Sequence, residues 1–187
     1  FLRTRSWGYI ALGATAAIVL PKVFGTIILA YVSFTALREM ISISGFRTAD
    51  RPALLAAYAV IPLQYHLAYH YKLTAFFAFI PIGMFMLIPF LLIGKGQTKA
   101  IGRSMALIPA ILMLTVFTIS HTALLYNFDI QGVDMTYGGL ILYLFLITAC
   151  NDVFQFTWGK LFGQRKIIPA ISPNKTWEGF IGGVMTT

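Results

Sequence analysis

Charged residues are scarce in this chain. They make up 11% of its 187 residues, whereas soluble domains carry about a quarter. Hydrophobic residues make up 58%, and the mean hydropathy is +0.80. No polar stretch is longer than a short loop, which excludes a sizeable aqueous domain. A soluble core of this size cannot hide so much apolar side chain, so the composition predicts an all-α, polytopic transmembrane helical bundle.

Cysteine is scarce, and the common catalytic motifs are missing. The single cysteine, Cys150, cannot form a disulfide within the chain. There is no P-loop, no G-x-G-x-x-G, no C-x-x-C and no G-x-S-x-G pattern. The function must therefore be sought in other residues.

Acidic residues are few: six Asp and Glu stand against fourteen Lys and Arg, which gives a net charge of +8. The basic residues lie between apolar runs. This distribution is typical of the positive-inside bias of membrane proteins and does not indicate nucleic acid. It also suits contact with anionic membrane lipids.

The apolar blocks predict one membrane domain over 1–187, with about six transmembrane helices and the start of another. The first block is one kinked helix or two short helices joined at Pro21-Lys22. The last block stops short of the roughly 20 residues that a span needs, so we expect the chain to be a piece of a longer protein. The blocks are 7–37, 52–69, 73–93, 104–126, 136–158 and the stretch from about 173.

The loops between these blocks alternate in charge. Loops 94–103 and 159–175 are basic, and loop 127–135 holds two aspartates and no base. The positive-inside rule predicts that the two basic loops face the cytoplasm and the acidic loop faces out. By the same count, loop 38–51 faces in and loop 66–72 faces out. The cytoplasmic loop 159–175 leads into the most polar motif of the chain.

This motif is "SPNKTWEGFIGG", residues 172–183. Ser172 is a favoured N-cap and Pro173 suits the first helical position, which predicts a helix from 173. Lys175 would then lie in the first turn, where a cation opposes the helix dipole unless an anion such as phosphate binds there. Glu178 would pair with Lys175, or orient that lysine or a metal-bound water.

Glycines follow at helical spacing. On one continuous helix, Lys175, Gly179, Gly182 and Gly183 share a face. Two interpretations remain open: close helix packing of the small-xxx-small type, or a groove floored by glycine that admits a ligand.

A second polar cluster ends the sixth block. Asp152 follows a long apolar run, and an acidic residue inside a membrane helix is a functional candidate by default. Asp152, Gln155 and Gly159 share a helix face, and Asn151 is adjacent to Gln155. The cluster is expected to face the helical bundle, and the alternative is that Asp152 pairs with a structural base.

Three stretches together resemble a known family. "ND" at 151–152, "WGKLFGQRK" at 158–166 and "SPNKTWEGFIGG" at 172–183 are similar, in this order and spacing, to the phosphatidate cytidylyltransferase (CDP-diacylglycerol synthase) family. Asn174 departs from the pattern, since members often have a second lysine there. A further signature of the family, with a Lys-Asp pair and an Asp-Arg-x-Asp stretch that supply metal ligands, is not among these residues.

The resemblance implies transfer of the cytidylyl group of CTP to phosphatidic acid, with Mg²⁺ as cofactor. Asp152, Lys175 and Glu178 would be catalytic, and Asp152 would also bind the metal. The protein would be a multi-pass protein of a bacterial inner membrane, in contact with lipids, with its site on the cytoplasmic side and with homodimerisation left open. The residues expected to bind substrate are Asn151, Ser172, Pro173, Thr176, Gly179, Gly182 and Gly183.

Other functions remain open at this stage. Because the second family signature is missing, we expect these 187 residues alone to be inactive. The alternatives are a non-catalytic relative, a small-solute transporter with Asp152 and Lys175 along its pathway, and a CTP-dependent lipid kinase.

Overall fold

The structure is a computed structural model that describes residues 15–16, 18–94, 101–128, 138–170 and 172–187. They belong to two compact units, Phe1–Gly138 and Gly139–Thr187. Several sequence predictions lie outside the described residues: the start of the first apolar block (7–14), and the loop residues Lys95, Lys99, Asp129 and Asp134.

Among its described residues, the first unit has four long helices: α1 (Lys22–Ser44), α2 (Arg51–Tyr69), α3 (Leu73–Ile93) and α4 (Ile101–Asn127). By length and composition, α1, α3 and α4 could each cross a membrane, and so could α5 (Gly139–Phe162) of the second unit. The predicted helical membrane fold is confirmed.

Helix α1 begins directly after Pro21, which interrupts the helical backbone. Residues 15–16 and 18–19 are helical, the backbone bends at Leu20, and α1 starts after Pro21. This break falls at Pro21-Lys22, where the sequence predicts either a kink or a join in block 7–37, and the choice between one helix and two stays a prediction. The helix runs past the predicted end to Ser44, where Gly45 adopts the left-handed conformation (φ 62°) that commonly ends helices.

Two of the helices contain a wider π-helical turn. In α3 the turn spans Phe79–Met84 and includes Pro81, and in α4 it spans Met113–Phe117, four residues after Pro109. Proline removes a backbone donor, and local π adjustments let the remaining groups find partners. The apolar blocks therefore continue through their prolines.

Side-chain bonds fix which helix ends meet. Lys22 Nζ donates to the Tyr69 carbonyl (2.7 Å) and to Asn127 Oδ1, so the start of α1 meets the ends of α2 and α4. Near the other ends of these helices, Arg103 donates to the Ser44 carbonyl, and Ser104 Oγ donates to Asp50 (2.9 Å). This arrangement agrees with the predicted alternation of the loops. Which side is cytoplasmic stays a prediction.

The second unit is a helix, a hairpin and a helix. Helix α5 is followed by strands β1 (Lys166–Ile168) and β2 (Ser172–Thr176), and then by helix α6 (Trp177–Thr186). The strands are antiparallel, with Lys166 opposite Thr176 and Ile168 opposite Ser172. The segment 159–175, predicted as a loop, therefore comprises the end of α5 and this hairpin.

A buried carboxylate stabilises the turn before α2. Asp50 is 1% exposed and accepts hydrogen bonds from Arg47 (3.0 Å) and Ser104. Burial raises the pKa of Asp50, but the hydrogen bonds and charge of Arg47 and the Ser104 bond outweigh it and hold the pKa below its usual value.

We expect Asp50→Ala to lower the free energy of unfolding by about 1–3 kcal/mol, because the buried Ser104 hydroxyl loses its acceptor. The exposed Glu39→Ala is the matched control. A group whose pKa is lowered by folding stabilises the protein above its unfolded pKa and loses that effect as pH falls through the folded one. The difference in thermal unfolding midpoint between wild type and variant should therefore shrink in acid, and equal midpoints at neutral pH would contradict the role given to Asp50.

Candidate functional site

The two helices of the second unit touch backbone to backbone. Gly179 and Gly183 are buried on α6. A Cβ at Gly179 would lie 2.7 Å from the Gln155 carbonyl oxygen and 2.9 Å from the Gly159 Cα, and a Cβ at Gly183 would meet the Gln155 side chain. Only glycine permits so close an approach.

The third glycine of this face also packs on α5. A Cβ at Gly182 would overlap the Trp158 indole, with its Cδ2 at 2.7 Å. The glycine face is therefore covered by α5, as in the helix-packing interpretation, and does not form a groove open to a ligand. A direct contact of these glycines with substrate stays a prediction.

The helix starts four residues later than the sequence predicts. Thr176 is the N-cap: its backbone is extended (φ −122°, ψ 153°), and its side chain accepts the Gly179 N–H at 3.2 Å. Residues 172–176 form β2 instead. The predictions that Ser172 caps the helix, that Pro173 is its first residue and that Lys175 lies in its first turn are wrong. The first turn holds Glu178, an acid that suits the helix dipole.

Glu178 binds backbone, not Lys175. Its Oε2 accepts the N–H groups of Gln164 (3.1 Å) and Arg165 (3.2 Å), and its Oε1 accepts Arg165 N–H at 3.3 Å. The expected Lys175–Glu178 pair is wrong, since no ion pair joins these two described residues.

The environment of Glu178 favours its charged form. Hydrogen bonds from its own backbone N–H and from the backbone of Gln164 and Arg165, together with the Arg165 charge, lower the pKa of the Glu178 carboxyl. Desolvation opposes them and does not prevail. Glu178 is therefore a carboxylate near neutral pH.

The polar residues of β2 lie in an irregular stretch of the hairpin. Four residue steps of β2, from Ser172 to Thr176, lie opposite two steps of β1, from Lys166 to Ile168, and such an irregularity disturbs the ladder locally. Thr176 lies against α5, since its Oγ1 is 3.2 Å from a Cβ placed on Gly159. Lys175 is exposed. Because residues 172–176 are extended, Ser172 and Lys175 do not form a helix N-terminus.

Helix α5 continues past the end of block 136–158 to Phe162, so Asp152 lies well inside the helix. Ten residues of helix place Asp152 about 15 Å from that end. Its neighbour Asn151 accepts a hydrogen bond from Gln155 through Oδ1. Asp152 is exposed, and in the part of the chain that the structure describes it makes no hydrogen bond or ion pair, with Lys175 or any other residue.

The exposed charges of this unit are mostly positive. All four of its basic residues lie at the end of α5 or in the hairpin, and all are exposed: Lys160, Arg165, Lys166 and Lys175. Within the described ranges, no three His, Cys, Asp or Glu side chains cluster closely enough to hold a metal ion. The hairpin thus presents cations without a surrounding ring of acids, which suits an anionic ligand.

One contact of the site was not anticipated from the sequence. A Cβ at Gly163 would lie 2.7 Å from Thr176 Oγ1, so the chain turns out of α5 directly against the cap of α6. The available signal was the spacing of Gly159 and Gly163, four residues apart in "WGKLFG", which is another small-xxx-small pair.

This is a helical membrane protein whose second unit carries a basic hairpin between two helices packed through glycine. All of its residues, 1–187, match the cytidylyltransferase family. The chain belongs to that family, and the resemblance found in the sequence is confirmed at this level. No solved structure matches the chain.

Curated relatives match in two ways. "Uncharacterized protein YnbB" of Escherichia coli (strain K12) is 33% identical over 187 residues, which is 99% of this chain and 60% of that protein. The phosphatidate cytidylyltransferase of Staphylococcus aureus (strain COL) is 54% identical over 44 residues, which is 24% of this chain and 17% of that enzyme. The phosphatidate cytidylyltransferase of Haemophilus influenzae is 45% identical over 47 residues, or 25% and 16%. The matched part of this chain thus spans 60% of the first relative's length and less than a fifth of the length of the two enzymes.

Gly179→Ala tests the packing role of the glycine face. The added methyl would press on the backbone of Gln155 and Gly159, which cannot yield as a side chain can, and we expect a loss of about 1–3 kcal/mol in unfolding free energy. Gly102→Ala is the matched control, because a Cβ there meets nothing within 4 Å, and it should be neutral or slightly stabilising. Thermal unfolding in detergent measures both. A fully stable Gly179→Ala protein would show that the two helices are not in backbone contact.

Proposed function

We propose that the protein transfers the cytidylyl group of CTP to phosphatidic acid, giving CDP-diacylglycerol and pyrophosphate. The observation that carries the proposal is the family match over the whole chain. The choice of phosphatidic acid as acceptor rests on the shorter matches to phosphatidate cytidylyltransferases. The membrane helices agree with a lipid substrate.

The reaction needs little covalent chemistry from the protein. A phosphate oxygen of phosphatidic acid attacks the α-phosphorus of CTP, the bond from that phosphorus to the bridging oxygen breaks, and pyrophosphate leaves with the bonding electrons. Nothing is oxidised or reduced. Such reactions are catalysed mainly by positioning the phosphates and neutralising their charge.

The hairpin supplies the positive charge. Lys175 is exposed and has no hydrogen-bond or ion-pair partner among the described residues, so its three N–H donors are available for phosphate oxygens. Lys166 lies in the facing strand β1, opposite Thr176, and Arg165 directly precedes it. We assign Lys175 to phosphate binding, and Ser172 and Thr176 to holding β2 in place.

Asp152 is the residue that would hold Mg²⁺. Magnesium is usually bound by one or two carboxylates together with waters and substrate phosphates, and Asp152 is an exposed carboxylate on a membrane helix with no described partner. When bound, the ion would neutralise charge on the triphosphate. Asn151, held by Gln155, would orient the adjoining turn of α5.

The site is assigned to the cytoplasmic face of a bacterial inner membrane. CTP is a cytosolic compound, and the basic segment 159–175 is the kind of segment that stays inside. The matched relatives are bacterial.

An assay with labelled CTP tests the proposal. The full-length protein is purified in detergent with Mg²⁺ and given phosphatidic acid and CTP labelled at the α-phosphate, and label is measured in the lipid phase. We expect transfer in the wild type and a loss of about 10²–10³-fold in kcat/KM for Lys175→Ala, which removes a cation proposed to contact the phosphates, and for Asp152→Asn, which removes the proposed magnesium ligand. Lys72→Ala, an exposed lysine of the first unit, is the control and should keep full activity.

The position of the label separates the alternatives. Lipid labelled only from γ-labelled CTP would identify a lipid kinase. A folded protein that binds CTP but labels no lipid would overturn the proposal in favour of a non-catalytic relative. A folded protein that neither binds CTP nor labels lipid leads to a flux assay for a transporter.

A further inference from the structure

Glu178 joins the two ends of the basic hairpin. Its carboxylate lies in the first turn of α6, directly after β2, and it accepts the N–H groups of Gln164 and Arg165, which lie directly before β1. The bonds therefore span 13 and 14 residues of chain. They close the hairpin at its base, where it meets both helices.

A second bond runs in the opposite direction. The Trp177 N–H donates to the Arg165 carbonyl at 2.9 Å. Arg165 is thus held through both of its backbone groups, by Trp177 on one side and by the Glu178 carboxylate on the other. The next residue, Lys166, lies opposite Thr176 in the ladder, and Lys175 directly precedes Thr176 in β2. We call the bonds from Glu178 and Trp177 to Gln164 and Arg165 the joint of the hairpin. The backbone positions of Arg165, Lys166 and Lys175 depend on this joint.

The bonds of Glu178 differ from those of a metal ligand or a general base. Both carboxylate oxygens accept backbone N–H groups, and an acid in the first turn also stabilises the helix. A carboxylate that acts on substrate needs a lone pair aimed at a proton or a metal. Moving Glu178 towards a ligand would break its bonds to the Gln164 and Arg165 N–H groups and release the backbone that carries the basic side chains.

From this geometry we infer that Glu178 is a positioning residue: it holds Arg165, Lys166 and Lys175 in the arrangement that binds the substrate phosphates and does not itself touch them. The inference rests on the proposed function for its substrate. The closing of the hairpin by Glu178 does not depend on that function.

Two substitutions separate positioning from chemistry. Oε2 alone accepts both the Gln164 and the Arg165 N–H, so the single amide oxygen of Glu178→Gln can keep both bonds, whereas Glu178→Ala keeps neither. We expect Glu178→Ala to raise KM for CTP about tenfold or more with kcat within a few-fold, and Glu178→Gln to restore KM to within about threefold of wild type. Glu39→Gln, the only other glutamate of the sequence and an exposed one, is the matched control.

A metal ligand or a general base would behave differently. Glutamine can replace neither, so Glu178→Gln would lose about 10²–10⁴-fold in kcat, and the acidic limb of its pH–rate profile would change. That result would overturn the inference. A Glu178→Gln enzyme with the wild-type pH profile and a restored KM supports it.

Limited proteolysis tests whether Glu178 closes the hairpin, and it requires no measurement of catalytic activity. Trypsin cleaves after Arg165 and Lys166, and a closed hairpin protects these bonds because a protease needs an open segment. The full-length protein in detergent should be cut there several times faster in Glu178→Ala than in wild type, with Glu178→Gln close to wild type, as read by mass spectrometry of the fragments. Equal cleavage of all three would overturn the inference. Altered cleavage in a protein without cytidylyl transfer would leave the joint standing and reject the proposed function alone.

Discussion

The second unit depends on the approach of two helix backbones at Gly159 and Gly179. A methyl group on Gly179 would lie under 3 Å from backbone atoms of α5, so the contact is available to glycine alone. This contact sets the distance between α5 and α6, and therefore the space left for the chain that connects them. Thr176 lies in that space, against Gly163, and caps α6 by accepting the Gly179 N–H. The position of the hairpin therefore depends in part on a contact that contains no charge.

The first unit is held by polar bonds placed among apolar residues. Ser33 is fully buried and lies 2.7 Å from the Tyr65 hydroxyl, which donates to the Leu29 carbonyl. Burial raises the cost of an unpaired polar group, so such bonds specify which faces of α1 and α2 meet. Apolar contact discriminates poorly between one helix face and another in a lipid environment, where the surroundings are equally apolar. The ends are fixed in the same way by Lys22 and Asp50.

Hydropathy predicted the long helices because their signal is local and repeated over twenty residues, and even the prolines at 81 and 109 did not break it. The motif at 172–183 was harder because it contains two good N-caps, Ser172 and Thr176, and local propensity cannot choose between them. Strand pairing decides between the two caps. Residues 166–168 pair with residues 172–176 and hold them as a strand, which leaves Thr176 as the cap of the helix. The partner of Glu178 was missed for the same reason: the pattern of i and i+3 pairs suggests Lys175, whereas the bonds go to backbone 13 and 14 residues away.

In the second unit, the backbone determines where the basic side chains are attached, and the side chains themselves are exposed. Lysine and arginine side chains are long and flexible, so they can follow a phosphate but cannot by themselves define where it binds. Precision must come from the backbone that carries them, and here that backbone is fixed by the glycine contact, the threonine cap and the Glu178 carboxylate. Under the proposed function, a mobile hairpin would spread the same positive charge over a larger volume and bind each phosphate less well, since the ordering cost would then fall on substrate binding. Under that function, conformational order in the hairpin and affinity for the anionic substrate are one property of this unit, and a substitution that loosens the hairpin should weaken binding before it changes the chemistry.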